Sequence, residues 1–549
     1  MMTQSRRLAL TLAATVTTLS PTAHAHDAII HELLPSRSLV MDPALRTEVL
    51  SEVGEADLAA FRTWLVEAFR THATESSRVD LLRRWPTSES LDLPALKRLM
   101  GMDEGKPVTG LDHVTGLPGP ALEVLDRAAA HPDRDGRNRD RLARGPDGNP
   151  LRLADGRPVP ADPAVLNLGQ ATGPSSQDLA HRALWDGAPL SPDPQVLKVE
   201  PRRYAVPYGW PQGPVLGLGR EHAQLHYDLA VLAHLQGTPA SRSLAYLLVG
   251  HALHYVADAG NPVQTIQAGL SDFLLAAQFG VLSRSLRTLG GYLGDLRPLS
   301  SVAADILHNH RQVSQALTLK RIQEALAGKP TPEAVQSILP ALVQDDKTFK
   351  SELEMAVAQV VAKADKKGRA PLVSVIVGRL VDRSSRQAPE VYRHVAGVLH
   401  PRFSTYGVLF DPDKDDPDQA LGDLSGPQAK AHLDSLYWTQ AKAFSALGTS
   451  IRLVWARFRA DTAVAREDDR AVRVASFAGP LLAARLAALA AEEGRVQQFL
   501  AAPPEKPQPT VKRPAFLVLV VLTPVVCVLG VALLVRRSRR VAAEEAPAA

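Results

Sequence analysis

Residues 250–265 read GHALHYVADAGNPVQT, and their spacing decides what kind of body surrounds them. His254 and Asp258 are four apart and His251 stands three before His254. On a helix all three project from one face. Gly260 and Pro262 end that helix and leave Gln264 on the exit loop, six residues after Asp258. A His–Asp pair at helical spacing fits two arrangements. It can be a hydrogen-bonded pair in a core, or two ligands of one metal ion.

Outward from this stretch the pattern stays helical. Asp42-Pro43 reads as an N-cap followed by Pro at the first helical position. Leu58, Phe61, Leu65 and Phe69 then recur on one helical face. Further helices are expected at 221–236, 241–259, near 266–289 and over 299–327, with a second block over 331–400 and a third over 425–500. Few segments alternate as strands do, and no internal repeat is present, so the fold class is all-α. From about 131 to 220 the pattern breaks into segments rich in Pro, Gly and Asp, beginning HPDRDGRNRD. A coil of that length inside a body is usually functional or held by a ligand. FDPDKDDPDQALGD (410–423) clusters Asp, but Asp416 stands where a calcium loop needs Gly and no Glu closes it, so it reads as a solvated acidic turn.

The composition sets bounds. The chain has 549 residues, 45% hydrophobic and 22% charged, enough for a substantial core. That excludes a disordered chain, a disulfide-stapled miniprotein and a multi-span transporter. Cys527 is the one cysteine, so any metal site must draw on His, Asp and Glu.

The two ends carry targeting signals. Residues 1–25 have Arg6 and Arg7, an apolar stretch and Ala23-His24-Ala25, the layout of a secretory signal peptide cut after Ala25. Residues 515–535, AFLVLVVLTPVVCVLGVALLV, carry no charge and are long enough to span a bilayer. A Pro-rich stalk (502–514) leads into this span. Arg536, Arg537, Arg539 and Arg540 place the tail 536–549 in the cytoplasm. The expected location is therefore the cell envelope, as a single-pass membrane protein with its body in the periplasmic or extracellular space. The formal net charge of +4 comes from these ends, which hold six Arg and two Glu, and the exported body is neutral. Charge thus gives no indication of nucleic acid as a partner.

Cleavage after Ala25 creates a chain that begins HDAIIHELL, with His26 first and His31 five residues on. A free α-amino group, neutral in part near pH 8, binds metals. Together with its own carbonyl and a nearby His it can chelate zinc. His222 and His226 are also four apart, on a stretch that is otherwise apolar, and read as packing with local hydrogen bonds. His72, His113, His394, His400 and His432 are isolated. No GxSxG, P-loop, HExxH or strand-linked GxGxxG is present.

These residues resemble the secreted zinc-dependent phospholipase C and single-strand nuclease superfamily. Its members are all-α and begin, once the signal is removed, with a residue whose amine and carbonyl bind zinc, followed closely by a His. His26 and His31 match, although the family usually begins with Trp. The family's central motif is His-Tyr-x-x-Asp with a His six residues after the Asp. His254, Tyr255, Asp258 and Pro262 match it, whereas Gln264 stands in place of that His.

The resemblance implies a phospholipase C/nuclease-like metal-binding domain over 26–315, with an additional helical region over 316–501. It implies an upstream Asp, Asp133 or Asp135, and an upstream His, His181. It also asks for a downstream His with an acid four residues later. His308 and His310 supply the imidazole, but Gln312 and Ser314 stand where the acid belongs. Two zinc positions are therefore retained and the third is weakened or absent. Asp258 would bridge two ions. His254, His181 and Asp133 or Asp135 would complete one, and His26 with His31 the other. Asp258, Asp133 and Asp135 are the candidate catalytic carboxylates.

The implied activity is hydrolysis of phosphoric esters, with phospholipid favoured because the body is neutral and tethered to a membrane. Two alternatives stand. One is a nuclease, for which Tyr204, Tyr208 and Trp210 could stack bases. The other is a catalytically impaired envelope binding protein.

Overall fold

Helix α7 (Pro239–Gly260) is the axis of the molecule, buried at every position from Ser243 to Gly260. The reason lies in its sequence, SLAYLLVGHALHYVADAG, which has no Lys, Arg or Glu on any face. A helix apolar all round finds its minimum inside other helices. Its start is well defined. Thr238 accepts from the Ser241 N–H at 3.0 Å, Ser241 accepts from the Thr238 N–H at 3.0 Å, and Pro239 takes the first turn. It stops at Asn261, beside Pro262, where the sequence places the break.

The computed structural model describes residues 28–84, 114–134, 219–262, 265, 299–364, 371–404, 408–411 and 414–501. The expected signal peptide (1–25), most of the 131–220 coil, the expected helix near 266–289, the expected stalk and the expected span over 515–535 lie outside these residues. Among the described residues no helix is long and apolar enough to cross a membrane. The chain divides after Val496. Of the smaller unit, only 497–501 are described, the end of the last helix.

Four helices build the amino-terminal side of the larger unit around α7. Helix α6 (Gly219–Gln236) joins α7 through Gly237 and Thr238, and Gly237 sits at φ 85°, the left-handed turn that glycine adopts without strain. Helix α5 (Ala121–Arg134) crosses α7 at Gly250. A Cβ there would lie 2.4 Å from that of Ala128, so only glycine permits this approach.

Helix α1 (Ala28–Leu39) packs on α5. Its Pro35 has no N–H to give the His31 carbonyl and crowds it. The next N–H, that of Ser36, goes to Asp126 Oδ1 on α5 at 2.8 Å. Helix α3 (Glu55–His72) buries Leu58, Phe61, Leu65 and Phe69, as the periodicity predicts. Asp42 caps the short helix α2 (Pro43–Thr47) by accepting from the Ala44 N–H at 3.0 Å.

Helix α4 (Glu75–Arg84) follows α3. Strands β1 (Val49–Leu50) and β2 (Gly119–Pro120) form the one sheet among the described residues, antiparallel with Val49 opposite Pro120.

The carboxyl-terminal helices complete the same core. They are α8 (Leu299–Leu326), α9 (Glu333–Gln336), α10 (Ile338–Val343), α11 (Lys347–Ala364), α12 (Leu372–Val398), α13 (Pro427–Thr462) and α14 (Glu467–Ala501). Ile30, Phe61, Leu253, Val377, Leu447 and Phe477 belong to one buried cluster, so the helices after residue 315 pack onto those before it.

Polar contacts also stitch this seam. The Tyr227 hydroxyl donates to Asp461 at 2.8 Å, and the Trp455 indole donates to Asp42 at 2.8 Å. A second apolar cluster gathers Val313 and Leu317 of α8, Val391 and Val395 of α12, Phe403, Phe410 and Leu436. The acidic turn lies at the surface, with Asp416 and Asp418 paired to Lys320 at 2.6 and 2.7 Å. The described residues are overwhelmingly helical, and the body is all-α.

Candidate metal centre

Helix α7 presents His254 and Asp258 one turn apart on one face, and α1 brings His31 onto the same face. All three side chains are 0% exposed. His31 Nε2 lies 3.4 Å from Asp258 Oδ1, and His254 Nε2 lies 3.3 Å from Asp258 Oδ2. The two imidazole rings are 4.1 Å apart between centroids and tilted by 30°. One ligand atom from each residue falls within 4.8 Å of the others, so the group could hold a metal ion.

The distances bear on the chemistry. Charge-assisted N–H···O bonds run at about 2.7–2.9 Å, shorter than either contact here. Ligands bound at about 2.0–2.1 Å in tetrahedral zinc geometry are instead about 3.3–3.4 Å apart. Two imidazole nitrogens and a carboxylate also form a donor set suited to zinc. The residues present therefore fit such an ion.

Backbone groups orient the ligands. His254 Nδ1 lies 2.7 Å from the Ala129 carbonyl oxygen of α5. The carbonyl can only accept, so Nδ1 carries a proton and Nε2 is the nitrogen left to face Asp258. The close crossing at Gly250 brings that carbonyl within reach. Asp126, one turn before Ala129, anchors α1 through Ser36. Burial pushes the Asp126 carboxyl up to about 7 and nearby Glu32 adds to this, while the bonds from Ser36 oppose it.

Beside the centre, Tyr255 contacts His254 at 5.1 Å, His222 at 5.1 Å and His226 at 5.4 Å between centroids. His226 Nδ1 lies 2.7 Å from the His222 carbonyl oxygen, the local bond expected from the spacing. Burial pulls His226 down to about 4 and keeps it neutral.

The other expected ligands fall elsewhere or outside the description. His26, Asp135, His181 and Gln264 lie outside the described residues. Asp133 lies in the last turn of α5 and His308 lies on α8, but their side chains are outside the description. His310 is buried with its ring 6.3 Å from Tyr392 and is not in the His31 group. Gln312 is buried, and the Ser314 hydroxyl donates to the Arg311 carbonyl at 2.8 Å.

Sequence reasoning did not find Ala129 or Asp126. Ala129 acts through a backbone carbonyl, which leaves no mark in residue type. Asp126 looks like any acid on the polar side of a helix. No protein-family model, curated protein or solved structure matches the chain.

Proposed function

We propose that the chain is a zinc-dependent hydrolase of phosphoric ester bonds, phospholipase C-like, exported and anchored in the cell envelope by residues 515–535. The observation that carries this reading is the convergence of buried His31, His254 and Asp258 from helices far apart in sequence. His31 and His254 would hold the ion by Nε2. Asp258 turns one oxygen to each imidazole, a placement suited to a shared carboxylate.

Zinc bound there would supply a water of lowered pKa and a Lewis acid for a phosphoryl oxygen. The chain's own residues do the positioning. The Ala129 carbonyl holds the His254 ring, and the surrounding apolar helices exclude bulk water from the three ligands. As the resemblance implies, a second ion would divide this set, with His254, His181 and Asp133 or Asp135 on one ion, His26 with His31 on the other, and Asp258 between them. Phospholipid is favoured over nucleic acid because the body's formal charge is balanced and the anchor brings lipid within reach.

A second reading, a catalytically impaired binding protein, draws support from α8. There His310 packs in the second core and Ser314 is bonded within its own helix, where the resemblance asks for an imidazole and an acid. The test is purified full-length chain, analysed for bound metal and for turnover of a phosphocholine ester, a chromogenic phosphodiester and single-stranded DNA. Zinc at one or two per chain, with chelator-sensitive turnover of the phosphocholine ester, is the expected result. Metal without any turnover favours the binding protein, preferential cleavage of single-stranded DNA favours the nuclease, and no bound metal removes the hydrolase reading.

A further inference from the structure

A second pair of histidines meets where α13 starts beside the end of α12. His394 Nδ1 and His432 Nδ1 are 3.1 Å apart, and the ring centroids are 5.4 Å apart. That separation is about 3.1 Å plus one ring radius at each end, so the two nitrogens face each other nearly head-on. Head-on geometry suits an N–H···N bond. It does not suit chelation, in which the two lone pairs would converge on a point to one side.

The seat is fitted to the ring. Gly397 lies under His432, and a Cβ there would be 2.4 Å from His432 Cδ2. We propose that the His394–His432 contact is a proton-sensitive latch that holds the first turns of α13 on α12 at neutral pH and releases them on acidification.

The physical reason is proton counting. A bond between two imidazole nitrogens needs one proton between them, with one ring donating and the other accepting. When both Nδ1 atoms are protonated, two N–H groups point at each other and two cations share a half-buried contact. The surroundings mostly oppose the second charge. Burial, His432 and Arg393 lower His394 from its ordinary value, and Glu390 opposes them.

On α13 the charged neighbours are Lys430 and Asp434. From the elements that share this core, Lys320 and Arg321 of α8 are paired with Asp416 and Asp418, Arg402 with Asp415, and α9 brings Glu333. The depressed group binds its proton more readily in the unfolded chain. Its stabilisation is therefore complete above the unfolded value of about 6.5 and is lost as pH falls through the lower folded value.

Hydrogen exchange of the full-length chain at pH 7.5 and 5.0, corrected for intrinsic rates, tests this. Peptides covering 388–399 and 427–436 are expected to exchange severalfold faster at the lower pH. His432→Gln should abolish that pH dependence. Histidine NMR titration gives a readout independent of local stability. His394 should titrate at a lower pH in the wild type than in His432→Gln, because the facing ring lowers it. Equal corrected exchange at both pH values in the wild type, or an identical His394 titration in the wild type and His432→Gln, would overturn the latch.

Discussion

His254 of α7 and His310 of α8 are both buried, and the two imidazoles are used differently. On α7, His254 has an acid one turn later, a second imidazole from α1 beside it and a backbone carbonyl fixing its Nδ1 proton. On α8, His310 has Ser314 one turn later and the Tyr392 ring beside it. Its neighbour Asn309 is tied to the loop that follows α12. The Asn309 amide donates to the Phe403 and Val408 carbonyls at 2.8 and 2.6 Å, and its oxygen accepts from the Phe410 N–H at 2.8 Å. A buried imidazole becomes a candidate ligand when an anionic oxygen is fixed within a turn of it.

The sharpest way to break this contrast is Asp258→Asn, which removes the anion from α7 and leaves its shape. Bound zinc should fall by at least one per chain and phosphodiester hydrolysis should be lost, while the protein stays folded. Metal analysis beside a thermal midpoint decides it. If the three residues are only a core network, metal content is unchanged and the cost is about 1–3 kcal/mol of stability.

Asn309→Ala tests the other side. It strips three hydrogen bonds, two of them buried, from α8 and its loop and should cost about 3 kcal/mol in urea unfolding, because the partner groups are left unsatisfied. Metal content should not move. A loss of metal in this variant would mean that α8 supports the centre after all.

The smallest expected effect separates anchoring from charge at the foot of the centre. The Asp126 carboxyl is raised from 3.8 to about 7 in the fold, so the fold binds its proton more tightly than the unfolded chain does. Its contribution is fully present below 3.8 and declines as pH rises through about 7. Asp126→Asn keeps an oxygen for the Ser36 N–H and cannot ionise. Thermal midpoints should therefore match or exceed those of the wild type at pH 8, and the slope between pH 4 and 7 should flatten. A midpoint well below the wild type at pH 8 would show that the carboxylate charge itself holds α1.

Residues 239–260 and 55–72 were legible as helices because their signals are local. The signals are an apolar run without long charged side chains, a stripe at 3.6-residue spacing, Pro in the first turn, and Gly and Pro at the end of α7. The same locality put His254 and Asp258 on one face, since two residues four apart on a helix share a face whatever the rest of the chain does. His31 was reached through its spacing from the expected new amino terminus at His26 and through the resemblance to a family pattern.

What brings His31 against Asp258, sets the Ala129 carbonyl on His254, pins Ser36 to Asp126 and joins His394 to His432 is the docking of separate helices. An amphipathic or apolar face states that a helix needs a partner and not which one. Docking was likewise what seated α12, α13 and α14 in the same core as α1, α3 and α7. Contacts between distant segments depend on the summed shape and burial of many side chains. No single stretch of sequence carries that information.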